Sequence, residues 1–261
     1  MFEQKYRHNR LVFLNRMYAK IGEVQFEGEQ ATVERASPQN KQVFATLGGK
    51  EAALLFTAKQ VWKQQGAHIR RKVALTDGSA ALQERMLAQF SDFTLVLDCI
   101  HAIEYLWKAA NVLLGETAPE RTTWVKSRAL LMLSGQTQDL IDDLQEIAST
   151  VEAAVCKTLL SVAGYFERNQ NYMRYDDYLA QGYPIATGVI EGACRHLVKD
   201  RCELSGMRWT QEGAEAILQI RAVAENGDWE AFHTFRREQR QGALYTKIPP
   251  LEGKNDLRWA A

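Results

Sequence analysis

Two short apolar runs in this chain each stop on an aspartate, Val73-Ala74-Leu75-Thr76-Asp77 and Phe93-Thr94-Leu95-Val96-Leu97-Asp98. Runs of this length, bounded by turn residues and separated by a helical stretch, read as neighbouring parallel strands. A third run, Val43-Phe44-Ala45-Thr46-Leu47, precedes them, followed by a Gly48-Gly49 turn and a helix predicted over residues 50–65 and closed by Gly66. With a second helix over 80–90, this is β-α-β-α-β, the pattern of a parallel sheet with right-handed crossovers. The fold class is therefore α/β, with both aspartates at the sheet edge where ligands of such folds collect.

After Asp98 the strand signal stops. Ile103, Leu106, Trp107, Ala110 and Leu114 share one side of a helix, and 124–133, 140–147 and 151–166 repeat the three- and four-residue spacing. Residues 102–183 read as an all-helical block. Gly182-Tyr183-Pro184 breaks the chain, and helices follow over 188–203, 211–225 and 228–240; the tail, 241–261, holds Pro249-Pro250 and shows no periodicity. Residues 1–40 carry weak strand signals near Leu11 to Leu14 and Gln30 to Val33.

The 261 residues are 46% hydrophobic and 25% charged, enough for a sizeable core. No run approaches the roughly 18–20 apolar residues that span a bilayer, and the N-terminus lacks an apolar signal core, so a cytoplasmic protein with no membrane partner is expected. Cys99, Cys156, Cys194 and Cys202 form no C-x-x-C pair, which argues against a zinc site or a disulfide framework; three of the four are expected to be buried. Basic and acidic side chains balance at 32 each, so any nucleic-acid contact must be local.

Val73 and Leu75 are expected to face inward, and Gly78 lets the backbone turn beside the Asp77 carboxylate. Asp77 reads equally as a placed metal ligand and as a cap for the helix behind it. Asp98-Cys99-Ile100-His101 puts acid and imidazole on one side of a nascent helix, or simply N-caps that helix. Glu191 is the sharpest residue. Steps of three and four lead from it to Cys194, Val198 and Cys202, so its carboxylate lies on an apolar stripe and needs a cation or a hydrogen-bonding partner such as Arg195 or Arg208. Other faces carry Arg195, His196, Lys199 and Arg201, suited to phosphate. Trp209 suits base stacking or an ordinary core position.

Several motifs in order resemble one family. Val43-Phe44-Ala45-Thr46-Leu47-Gly48, Leu75-Thr76-Asp77-Gly78-Ser79, Leu97-Asp98-Cys99-Ile100-His101-Ala102 with Glu104-Tyr105-Leu106-Trp107, Tyr165-Phe166-Glu167 with Asn169, Met173-Arg174-Tyr175, residues 182–194 and Gly206-Met207-Arg208-Trp209 look like bacterial insertion-sequence transposases of the DDE class, nearest the ISKra-type, Mutator-like branch. The likeness spans roughly residues 40–235. It implies an RNase H-like parallel or mixed sheet over 1–101 and 184–240, a helical insertion at 102–183 before the final catalytic helix, and a loose tail at 241–261. It implies two magnesium or manganese ions held by Asp77 and Glu191, with Asp98 and His101 in support, and Arg195, Lys199, Arg208 and Trp209 on DNA. The partners implied are the transposon ends and further copies of the chain. The family's first aspartate has no counterpart, since Asp77 is the first aspartate in the sequence. The chain thus resembles the C-terminal two thirds of a transposase, with impaired strand cleavage and transfer expected. The alternatives are a non-catalytic DNA-binding or oligomerising remnant that modulates a full-length enzyme, and an unrelated doubly wound domain with a small-molecule site; no glycine-rich phosphate loop supports the last.

Overall fold

A computed structural model describes residues 11–17, 39–66, 69–186, 194–202 and 207–245. The order is β1 (Leu11–Met17), β2 (Gln39–Thr46), α1 (Gly49–Gln64), β3 (Val73–Thr76), α2 (Ala80–Gln89), β4 (Thr94–Leu97), α3 (Cys99–Leu114), α4 (Glu120–Leu133), α5 (Thr137–Thr150), α6 (Ala153–Asn169) and α7 (Tyr175–Ala180). A π-helical segment, Cys194–Lys199, runs into the short turn Asp200–Cys202, and α8 (Gln211–Glu225) and α9 (Trp229–Tyr245) follow. The fold mixes strands with a larger share of helix. Between β4 and residue 180 it holds helices and turns alone, as the three- and four-step periodicity predicts. Among the described residues no helix is long and apolar enough to cross a membrane.

The strands form two separate pairs. β3 and β4 are parallel, with Val73 opposite Thr94 and Thr76 opposite Leu97. The expected third parallel neighbour, β2, is instead antiparallel to β1, with Leu14 opposite Val43. A β-α-β pattern fixes strand direction but not adjacency, so the expectation of three neighbouring parallel strands is corrected here.

Three apolar clusters hold these pieces. The largest joins Val96, Leu97, Ala102, Leu106, Leu140, Leu144, Leu159, Val162 and Phe166, filling the space between β4 and α3–α7. A second, with Leu54, Ala58, Ala74, Leu82, Met86 and Leu95, packs α1 and α2 on the other face of β3 and β4. A sheet covered on both faces is the setting parallel strands favour. The third cluster, Val43, Ala45, Leu197, Val198, Leu218 and Ala222, fastens β2 to α8 and the π-helical segment.

Several local expectations change. In β3 the fully buried residues are Ala74 and Thr76, while Val73 and Leu75 are half-buried against the largest cluster. Of the cysteines with described side chains, Cys99 is buried and Cys156 and Cys202 are half-buried. α1 ends on Gln65 in extended backbone, without a left-handed glycine. α9 continues to Tyr245, five residues past the predicted stop at 240. The strand expected at Gln30 to Val33 lies outside the described residues.

Candidate metal and nucleic-acid site

Thr76 and Leu97 are register partners, so the next residues, Asp77 and Asp98, emerge side by side from the C-terminal ends of the parallel pair. Their local roles differ. Asp98 is 2% exposed, and its Oδ1 accepts from the Ile100 N–H at 2.8 Å, capping α3. Asp77 is exposed, and its Oδ1 accepts from the Ser79 N–H at 3.0 Å in a tight turn. Asp98 therefore caps α3, whereas α2 begins on Ser79 without a side-chain cap and Asp77 closes only the turn before it. The exposed Asp77 carboxylate still faces solvent.

Two tyrosines from the helical block pin this edge. The Tyr165 hydroxyl donates to the Asp77 carbonyl at 3.2 Å, and the Tyr175 hydroxyl donates to the Leu97 carbonyl at 3.0 Å. Tyr165 stacks on Tyr105, ring centroids 3.6 Å apart, and the rings of Tyr165 and Tyr175 are buried. Burial, chiefly, pushes both phenols well above the ordinary tyrosine range; for Tyr165 the neighbours Tyr105, Asp77 and Asp98 add to the shift. Gly78 has φ +81°, and a Cβ there would lie 2.6 Å from the Tyr165 hydroxyl oxygen. Only glycine fits that turn. Deeper in, Gln83 Nε2 donates to Asn169 Oδ1 at 2.7 Å and Asn169 Nδ2 donates to the Tyr165 carbonyl at 2.8 Å, tying α2 to α6 below β3.

A cation stands at the same edge. Lys50, in the first turn of α1, donates from Nζ to Ser79 Oγ at 3.0 Å, next to the Asp77 turn. The sequence reading missed Lys50, Gln83 and the two hydroxyl clamps; the one available signal was polar groups set into apolar helix positions.

The remaining expected residues are placed as follows. His101 is half-buried, and its Nδ1 pairs with Glu104 Oε2 at 2.9 Å within α3. Arg195 and Lys199 are exposed on the π-helical segment, where His196 Nδ1 meets Asp200 Oδ2 at 3.1 Å. Arg208 is exposed; Trp209 is half-buried, and its indole N–H is buried and finds no acceptor among the described residues. Glu191 lies outside the described residues, so the structure speaks to the Asp77–Asp98 pair alone. No group of three or more His, Cys, Asp or Glu side chains gathers among the described residues.

A scan against protein-family models, a search of curated proteins and a search of solved structures gave no match.

Proposed function

We propose that the chain belongs to a DNA strand-processing enzyme of the DDE transposase type, with an RNase H-like core into which α3–α7 are inserted. The observation that carries this reading is the pair of carboxylates at adjoining C-terminal ends of the parallel strands, with the edge clamped by Tyr165 and Tyr175. Clamping holds donors where a cation needs them, because loosely held ligands lose affinity and geometry. The run of sequence motifs from Val43 to Trp209 points the same way.

The donors present are carboxylate oxygens, the type that magnesium and manganese prefer, and a hard dication held by one or two carboxylates plus water is ordinary. In this reading Asp77 and Glu191 are the ligands. Held by these two carboxylates, a dication would supply Lewis-acid activation of water or a 3′-hydroxyl and charge neutralisation at the leaving oxygen. Asp98 fixes the start of α3 beside Asp77, and His101 is held one helical turn on. Lys50, Arg195, Lys199 and Arg208 supply positive charge for backbone phosphates, Trp209 stacks on a base, and copies of the chain assemble on paired ends.

No aspartate precedes Asp77, so strand cleavage by these 261 residues is expected to be weak while metal binding persists. The test is a Mn²⁺ titration followed by electron paramagnetic resonance, run beside a cleavage assay on DNA carrying the element's ends. Asp77→Asn and Glu191→Gln should each weaken Mn²⁺ by about tenfold or more, since carboxylate count sets affinity in such sites. His101→Ala should change it little. Unaltered Mn²⁺ binding in both carboxylate variants would overturn the reading.

A further inference from the structure

Helix α9 is the one long helix among the described residues without a fully buried side chain. It packs chiefly on α8, only Phe232 and His233 are half-buried, and from Thr234 to Leu244 every side chain is exposed. A helix of 17 residues is marginal in water by itself and is ordinarily held by an apolar face laid on a neighbour. α9 has the face. Trp229 is 43% exposed, Phe235 57% and Leu244 66%.

The apolar groups are ordered along the helix. Ala231, Phe232, Phe235, Gln239, Gly242 and Ala243 follow one another at steps of three and four, so they share one side, and no charged residue of the helix falls among them. Trp229, Arg236 and Arg240 form the border of that side. Trp229 stacks on Phe232 with ring centroids 5.8 Å apart, and the Arg236 guanidinium lies 5.8 Å from the Phe232 ring centroid. The border arginine thus turns toward the aromatic side of its own helix.

The charges select the occupant. From residue 228 to the end of α9, Asp228, Glu230 and Glu238 oppose Arg236, Arg237 and Arg240, so the segment is neutral as a whole. Two of the three acids stand at its start and all three arginines in its second half. A nucleic acid or an anionic membrane calls for a net positive surface, which this segment lacks. A helix that is acidic at one end, basic at the other and uncharged along one side is complementary to an oppositely directed copy of itself. Aligned in the same direction, two copies would set arginines beside arginines and acids beside acids.

We propose that α9 is a self-association helix, whose uncharged side docks antiparallel on the same side of α9 in a second copy, about a twofold axis at Phe235. That register packs the two Phe235 rings on each other, an arrangement aromatic pairs favour. It brings Arg240 level with Glu230 of the other copy and beside the other copy's Trp229. Gly242 and Ala243 then lie level with the turn at Gly227 and Asp228, where small residues leave room for it. Every contact is made twice, and the contact closes at two copies. A single pair of helices about 25 Å long makes a small interface, so the dimer is weak and dissociates at micromolar concentration.

The inference stands apart from the function proposed above, because neither metal nor DNA takes part in it and its failure leaves the Mn²⁺ titration untouched. Sedimentation equilibrium of the full chain from low to high micromolar concentration, without DNA or divalent ions, should show monomers passing into dimers and nothing larger. Phe235→Asp alters an exposed residue and should weaken the dimer about thirtyfold or more, as loss of a central aromatic does at an interface. Arg240→Glu should weaken it by about threefold or more, and adding Glu230→Arg should restore it, since the pair re-forms with its signs exchanged. Leu160→Asp, at an exposed site of α6, should change nothing. If Phe235→Asp melts α9, seen as a loss of helical circular dichroism, the charge exchange decides. A chain that stays monomeric throughout would overturn the proposal, as would a dimer that Phe235→Asp leaves intact or that Arg240→Glu strengthens. Dimers that form only when DNA is added would assign the arginines to nucleic acid and overturn it too.

Discussion

The two strand pairs are held by different physics. β3 and β4 lie between two apolar clusters, and their C-terminal ends are fixed by tyrosine hydroxyls from a helical block with a large core. β2 rests on a smaller cluster, and the specific contacts that seat it are the polar side chains of Glu215 in α8 and of Asn226 at the end of that helix. Burial of apolar area is non-directional, whereas a carboxamide that satisfies both groups of Val43 works at one geometry only. The parallel pair is thus anchored by many interchangeable contacts and the hairpin by a few irreplaceable ones. The carboxylates sit on the well-anchored pair, as a site that must hold its geometry requires.

The largest test of this contrast truncates each core. Phe166 is fully buried in the helical block, and Phe166→Ala is expected to destabilise by about 3–5 kcal/mol, while Leu218→Ala in the hairpin cluster is expected to cost about 2–3 kcal/mol. Denaturant unfolding measures both. A Leu218→Ala loss equal to or above that of Phe166→Ala would break the comparison, since the hairpin side would then be the better packed of the two.

Next comes a pair of glycines. Gly78 has φ +81° and no room for a Cβ, while Gly49, at the exit of β2, has φ +86° with nothing within 4 Å. Gly49→Ala carries backbone strain alone, about 1 kcal/mol. Gly78→Ala adds a collision with a clamped tyrosine, and about 2–4 kcal/mol is expected. Equal losses would show that Tyr165 gives way freely and that the clamp is loose. Thermal unfolding of the two variants side by side settles it.

The same contrast explains what the sequence disclosed. Helices α3–α6 were legible because each lays an apolar stripe on one large core, as Ala102, Leu106, Ala109 and Ala110 do in α3 and Leu159, Val162, Ala163 and Phe166 in α6. The juxtaposition of Asp77 and Asp98 was legible as well, because two strand-length runs ending in acids leave few arrangements. The partner of β2 was not, since Val43 to Leu47 reads equally well beside a parallel or an antiparallel neighbour. Nor was the burial of β3, where Ala74 and Thr76 are covered more fully than the bulkier Val73 and Leu75; residue type reports apolarity, whereas burial here follows from which helices cover which face. Asn226 and Glu215 gave no signal, because a polar residue on a helix normally faces water. The likeness to DDE transposases concerned Glu191 most, and that residue is left to the metal titration.

The last expected effect concerns pH and the tyrosines that clamp the parallel pair. Folding holds Tyr165 and Tyr175 in the neutral form, so both phenols ionise at higher pH in the folded chain than the ordinary value near 10 of the unfolded one. Their stabilising contribution is whole below about pH 10, where both states keep the proton. Above it the unfolded chain loses protons that the folded chain retains, and stability falls until the folded pKa values are reached. By pH 11 a loss of about 3 kcal/mol is expected from the two together, measured as a drop in the urea midpoint. The informative quantity is the difference between the parent and Tyr165→Phe/Tyr175→Phe, which isolates the two clamping phenols. The double variant should be less stable at pH 8, having lost two hydroxyl bonds to strand ends, and its decline between pH 9 and 11 should be shallower by that same amount of about 3 kcal/mol. Parallel declines would mean that the two hydroxyls reach solvent, and the clamp on the Asp77–Asp98 edge would then rest on ring packing against Tyr105 and Phe166 alone.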